Sequence, residues 1–390
     1  MMETIIYKDR ENTNCEKWDG LQEQYGQSGL LPMWVADMDF EAPACVQKAL
    51  KAYIEFNVYG YYKVPTGFYQ SFIDWEKNYH NYNVKREWLR VMPGVVPAIY
   101  WCVQMLTEAQ DSVVVMPPVY YPFFHAVKET GRNVVECPLK RDGDSYTMDM
   151  ELFEKLVCQE QVKVLILCSP HNPVGRVWTR QELKEVLDLC KEHHVYMIAD
   201  EIHQDLIMEG QKQITAATVG DYDEILLTVT AATKTFNLAG CQSAFLIVPD
   251  EKLRLRCDEM LKKLHLSEGN SFGYVAVQAA YENGRSWLEQ ALAVIRGNYQ
   301  YLKKELEDQL PKAVVAPLEG TYLAWVDLSA YIEPGKTEEI IQRKCQLAVD
   351  YGEWFGGKEY EQFIRLNLAT RTKNVKEAVE RICECLIEKG

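Results

Sequence analysis

The sequence predicts an α/β protein: a mostly parallel sheet covered by helices, followed by a smaller α+β portion. Three observations carry this. The middle of the chain alternates short, continuously apolar runs with amphipathic helical stretches; turn residues bound the runs; and the pattern changes toward the end, where separated strand-like segments precede a last helix. Continuous apolar runs are what strands buried on both faces require. Strand, helix, strand in succession builds a parallel sheet.

Taken in order, the strand candidates are Ser112–Met116, Asn133–Cys137, Val162–Cys168, Val195–Ala199, Glu224–Val229 and Ala244–Val248. A helix is expected from Pro97 to Leu106, opened by Gly94-Val95-Val96, and another from Arg180 to His193. For the second, Thr179 can cap the N-terminus and Glu182 completes a capping box, with Leu183, Val186, Leu187 and Cys190 on the apolar face. The stretch Gly284–Leu310 reads as a long helix joining the two portions. Thr321–Asp327 and Gln362–Leu368 read as strands, and Lys373–Lys389 as a helix with Val375, Ala378, Val379, Ile382 and Leu386 on one side. The expected division is residues 1–50 as an N-terminal segment contributing to the small domain, 51–285 as the large domain and 286–390 as the C-terminal small domain.

Composition narrows the function classes. The 390 residues are 47% hydrophobic and 25% charged, ordinary globular proportions. A net charge of −15 repels phosphate backbones, so nucleic acid is not an expected partner. Apolar runs are too short to span a bilayer, and the first residues lack the basic start and apolar stretch of a signal peptide; the expectation is a cytoplasmic protein without a membrane partner. The 12 cysteines follow no metal-knuckle spacing, several (Cys168, Cys190, Cys241) read as packed small hydrophobes, and no metal is expected.

Ligands of open α/β sheets bind beyond the carboxyl ends of the strands, so the residues following each strand matter most. After Val195–Ala199 comes Asp200-Glu201-Ile202-His203; alone, Asp200 reads as a helix cap or a residue of a solvated loop. After Val162–Cys168 comes Ser169-Pro170-His171-Asn172-Pro173-Val174-Gly175, a rigid loop that can aim the Asn172 amide; alone, it is a turn. After Glu224–Val229 comes Lys234 among small and hydroxyl residues, with Thr230 and Thr233 nearby. A lysine held out of water there has the lowered pKa that Schiff-base chemistry needs.

The order Asn172, Asp200, Lys234, each after a strand, resembles the aspartate-aminotransferase superfamily of pyridoxal-phosphate (PLP) enzymes, fold type I. Within it the chain resembles the MalY/PatB group of cystathionine β-lyase-like C–S lyases. The resemblance spans nearly the whole chain and rests on Trp34–Phe40, Tyr59-Gly60-Tyr61, Pro93–Ala98, Pro118-Val119-Tyr120, His171–Trp178, Asp200–His203 and Thr233–Gly240. It implies a large domain with a mostly parallel seven-stranded sheet and PLP as cofactor. Lys234 would carry the cofactor and, once freed, take the substrate Cα proton. Asp200 would pair with the pyridine nitrogen, Asn172 with the ring phenolic oxygen, and Tyr120 would stack on the ring. Val95, Val96, Thr233 and Tyr61, the last from a neighbouring subunit of a homodimer, would hold the phosphate. His203 stands where many relatives carry a tyrosine near the phenolic oxygen. Arg365 would clamp the substrate carboxylate, with Ala36, Trp34 and Tyr121 beside the substrate.

Two positions depart from the wider superfamily: Ala231 and Gln242 stand where many aminotransferases carry a serine and an arginine on the phosphate. The resemblance implies β-elimination from cystathionine or related cysteine thioethers, giving a thiol such as homocysteine, pyruvate and ammonia. An aminotransferase would use nearly the same residues and is the alternative. A second alternative is an additional role binding a transcriptional regulator, as in some members of the group.

Overall fold

The computed structural model describes residues 4–159, 161–265 and 269–387. Its central sheet has seven strands in the spatial order Leu89–Met92, Ala244–Ile247, Leu226–Thr230, Tyr196–Asp200, Val162–Cys168, Ser112–Val115, Asn133–Glu136. The five from Leu226–Thr230 to Asn133–Glu136 pair in parallel, while Ala244–Ile247 runs antiparallel to both neighbours. All six strands read from apolar runs are present, with ends moved by a residue or two. The seventh, Leu89–Met92, gave no such signal: it is short, lies at the sheet edge, and Arg90 within it forms a bidentate pair with Asp258. The exposed hairpin Lys140–Asp142/Ser145–Thr147 was likewise not expected, because its strands bury almost nothing.

Helices cover the sheet where the sequence places them. Val95–Leu106 follows the first strand and buries Ala98, Ile99, Cys102 and Val103. Arg180–Glu192 carries the complete capping box: Thr179 Oγ1 accepts from the Glu182 N–H at 3.2 Å, and Glu182 Oε2 accepts from the Thr179 N–H at 2.8 Å. Its four predicted apolar residues are all buried. Of the cysteines assigned to packing, Cys168 and Cys190 are buried but Cys241 is only half-buried, because the chain there forms a short surface turn.

The 25-residue helix Arg285–Gln309 leads to an antiparallel four-stranded sheet in the order Val314–Val315, Leu323–Asp327, Phe363–Asn367, Asp350–Tyr351. The helix Thr372–Ile387 packs against Arg285–Gln309; positions 388 and 389 of the expected helix lie outside the described residues. The N-terminal segment joins this portion through Leu31–Pro32, which pairs in parallel with Leu347–Ala348. Among the described residues no helix is long and apolar enough to cross a membrane, and no cluster of side chains is suited to a metal ion.

Candidate active site

The parallel strands end on a common side, and a cavity of about 200 Å³ lies beyond their carboxyl ends. Nine of the residues singled out from sequence line it: Ala36, Val95, Val96, Tyr120, Asn172, Asp200, His203, Thr233 and Lys234. Five different post-strand loops and the N-terminal segment therefore converge on one space, and chain order alone gives no measure of that convergence.

Lys234 sits in the one-turn helix Ala232–Thr235. Its Nζ donates to the Ala36 carbonyl at 2.6 Å, which also accepts from Tyr322 Oη at 2.7 Å. Burial, helped by the Arg365 charge and opposed by Asp37 and Asp200, lowers its pKa to about 8, so a useful fraction is neutral near physiological pH. Asp200 is the last residue of its strand, in register with Cys168 and Val229 on the two neighbours. Burial pushes its pKa up to about 7, against the Ile202 N–H (3.1 Å) and the Lys234 charge. A carboxylate buried at a cavity wall without a counter-charge of its own suits a cationic ring nitrogen.

Asn172 is held in the turn that ends at Gly175, whose φ of +74° and approach to the Pro317 carbonyl exclude a side chain. The Arg365 Nη1 donates to Asn172 Oδ1 at 3.0 Å, which leaves the amide N–H groups as donors. His203 is buried, its Nδ1 has no hydrogen-bond partner, and burial drives its pKa well below the ordinary value, so the ring is neutral. At the opposite end, Val95 and Val96 open the helix Val95–Leu106, whose first turn of N–H groups has no intrahelical partner. Thr233 and Gln242 line the same end, whereas the Thr230 hydroxyl is spent on the Glu201 carbonyl at 3.2 Å.

Three expected substrate residues do not themselves line this cavity. Trp34 lines a neighbouring cavity with Glu16 and Asp19, and its indole N–H donates to the Lys17 carbonyl at 2.9 Å. Tyr121 adjoins Tyr120, ring centroids 5.4 Å apart, without lining the Lys234 cavity. Arg365 is buried behind Asn172, to which it donates, and is ion-paired to Asp350. Tyr61 is fully exposed and does not line the cavity.

Sequence reasoning missed Asp350, Tyr322 and Asn367. Asp350 interrupts the apolar run Leu347–Tyr351, a signal that was available. Asn367 Nδ2 donates to the Val35 and Asp37 carbonyls, at 2.5 and 2.7 Å, while Asn237 Nδ2 holds those of Met38 and Phe40 at 2.9 and 3.0 Å. These amides pin the Trp34–Phe40 segment over Lys234.

The cavity suits pyridoxal phosphate end for end, with donors for a phosphate at the helix start and a buried carboxylate for the ring nitrogen. A lysine between them, following a strand of a mostly parallel seven-stranded sheet, marks the PLP-dependent enzymes of fold type I. The comparisons agree. The model of the aminotransferase class I and II family matches residues 32–382. Cystathionine beta-lyase PatB of Bacillus subtilis is 36% identical, covering 96% of this chain and 97% of PatB. Cystalysin of Treponema denticola, solved with pyridoxal 5'-phosphate, superposes with a TM-score of 0.95 at 32% identity over 100% of both chains. A PLP-bound structure from Clostridium difficile 630, provisionally described as an aminotransferase, gives 0.95 at 39% identity over 98% of both. The chain belongs to the aminotransferase class I and II family, and within it to the MalY/PatB group.

Proposed function

We propose that this chain is a PLP-dependent C–S β-lyase that cleaves L-cystathionine or a related cysteine thioether to a thiol, pyruvate and ammonia. The observation that carries the reading is the single cavity in which a desolvated Lys234 meets the buried Asp200, within a chain similar throughout to PatB. PLP, when bound, supplies a carbonyl for the substrate amine and a ring that takes up electrons as the Cα–H and Cβ–S bonds break.

Lys234 would hold the cofactor and, once its amine is free, take the substrate Cα proton with a group whose pKa of about 8 is matched to neutral solution. The Ala36 carbonyl, itself held by the Tyr322 hydroxyl, accepts from that amine and gives it a fixed resting position. Asp200 would keep the ring nitrogen protonated, the Asn172 amide would donate to the phenolic oxygen, and Tyr120 would cover the ring face. Val95, Val96 and Thr233 would bind the phosphate through backbone N–H groups and a hydroxyl. Arg365, steadied by Asp350, takes the substrate carboxylate. We further propose a homodimer in which Tyr61, wholly exposed in one chain, reaches the phosphate of the other. The free state of all 12 cysteines suits a reducing, cytoplasmic setting.

The test is the absorption spectrum of the purified protein, followed by addition of L-cystathionine. A visible band that Lys234→Ala loses, with thiol and pyruvate released in equal amounts, is the expected result. Amino-group transfer to a keto acid without thiol release would replace the lyase by an aminotransferase.

A further inference from the structure

The acids that follow Asp200 take no part in the reaction above, yet one of them, Asp205, accepts three side-chain hydrogen bonds from two other elements. Asp205 Oδ1 accepts from Trp75 Nε1 at 2.8 Å and from His80 Nε2 at 2.7 Å; Oδ2 accepts from Thr235 Oγ1 at 2.7 Å. All four residues are buried. Trp75 and His80 come from the continuous helical stretch Thr66–His80, and Thr235 is the chain neighbour of Lys234. Asp205 itself ends the turn that begins at Asp200, held by the Gln204 N–H to the Glu201 carbonyl and the Leu206 N–H to the His203 carbonyl, both 2.9 Å. One carboxylate thus joins the turn behind Asp200 to the turn that carries Lys234, and anchors both to a third element.

The anchor is ionic. Burial opposes a charge on His80, but Glu76 and Asp205 outweigh it and raise its pKa to about 9; His80 in turn holds Asp205 below the usual carboxylate range. Glu76 extends the contact by accepting from Gln204 Nε2 at 2.6 Å. A one-turn helix such as Ala232–Thr235 has too few internal hydrogen bonds to fix its own orientation. The direction of the Lys234 side chain must therefore be set from outside.

We propose that Asp205, anchored by His80 and Trp75, is a positioning residue that fixes the Lys234 amine relative to the Asp200 carboxylate through the Thr235 hydroxyl. This rests on Lys234 being the cofactor lysine. The discriminating pair is Thr235→Val, which keeps the shape and removes the hydroxyl, and Thr235→Ser, which restores it. In the PLP-loaded protein Thr235→Val should lower kcat for pyruvate release about tenfold or more, with KM changed by no more than about twofold, since misplaced reacting groups cost rate rather than binding. It should also move the pH midpoint of the visible cofactor band, and Thr235→Ser should return both values toward those of the unaltered protein. A Thr235→Val protein with unchanged kcat and unchanged band, even if it melts at lower temperature, would reduce the node to a structural tie and overturn the proposal. Failure of the unaltered protein to release pyruvate would instead refute the lyase reading, and the band titration would still decide the role of Asp205.

Discussion

Arg365 and Asp350 form an ion pair in which each side chain is only 2% exposed, and it faces two demands at once: stability and substrate binding. Replacing Arg365 by Leu strands the Asp350 carboxylate in the interior, and breaking such a pair costs roughly 3–5 kcal/mol. Burial already pushes the Asp350 carboxyl up against the pull of Arg365, so the stranded group would take a proton to limit that cost. The same substitution removes the cation for the substrate carboxylate, a loss of roughly 2–5 kcal/mol, or about 30-fold to several-thousand-fold in kcat/KM. Arg365→Leu combined with Asp350→Leu separates the two effects. Two apolar residues in place of a buried pair restore most of the stability but leave the carboxylate unbound. Asp350→Asn alone should destabilise the free protein and lower KM, because substrate then supplies the missing negative charge. Urea unfolding followed by tryptophan fluorescence and pyruvate release give the two readouts. If the double variant regains kcat/KM together with stability, Arg365 serves only Asp350 and the substrate clamp lies elsewhere.

Two further outcomes are expected. Tyr61, Phe56, Tyr59 and Phe272 are all exposed in one chain, so sedimentation should give a dimer, and Tyr61→Phe should leave the dimer intact while weakening PLP binding about tenfold or more through loss of a charge-assisted hydrogen bond; a monomer would end the shared-site reading. The His80 pKa is raised from 6.5 to about 9, so its contribution to stability is complete below pH 6.5 and fades as pH rises toward 9, while Asp205 stays charged throughout. Glu76 and Glu201, whose burial raises them to about 7 and 8, also lose stability with rising pH, so His80→Gln should flatten the fall of melting temperature between pH 6.5 and 9 without abolishing it. An unchanged slope would mean that His80 is neutral in the fold.

The sequence by itself determined the class of fold and the chemistry of the cofactor site. Continuous apolar runs marked six of the seven strands; the four-residue edge strand Leu89–Met92 gave none, because Arg90 interrupts it to reach Asp258. Asn172, Asp200 and Lys234 were legible because ligand groups gather at the carboxyl ends of strands: Asp200 ends one, and Asn172 and Lys234 follow others. What the sequence does not encode locally is which distant groups meet. That Arg365 is neutralised by Asp350, that the Ala36 carbonyl receives Lys234, and that Asp205 joins Trp75, His80 and Thr235 are contacts across 15 to 198 positions. Trp34 was placed in the substrate wall by its motif, yet its indole is drawn to the Lys17 carbonyl, because a buried N–H needs an acceptor and the tertiary structure put one there. Local pattern decides which face of an element is buried; only the packing of whole elements decides what each buried polar group finds there.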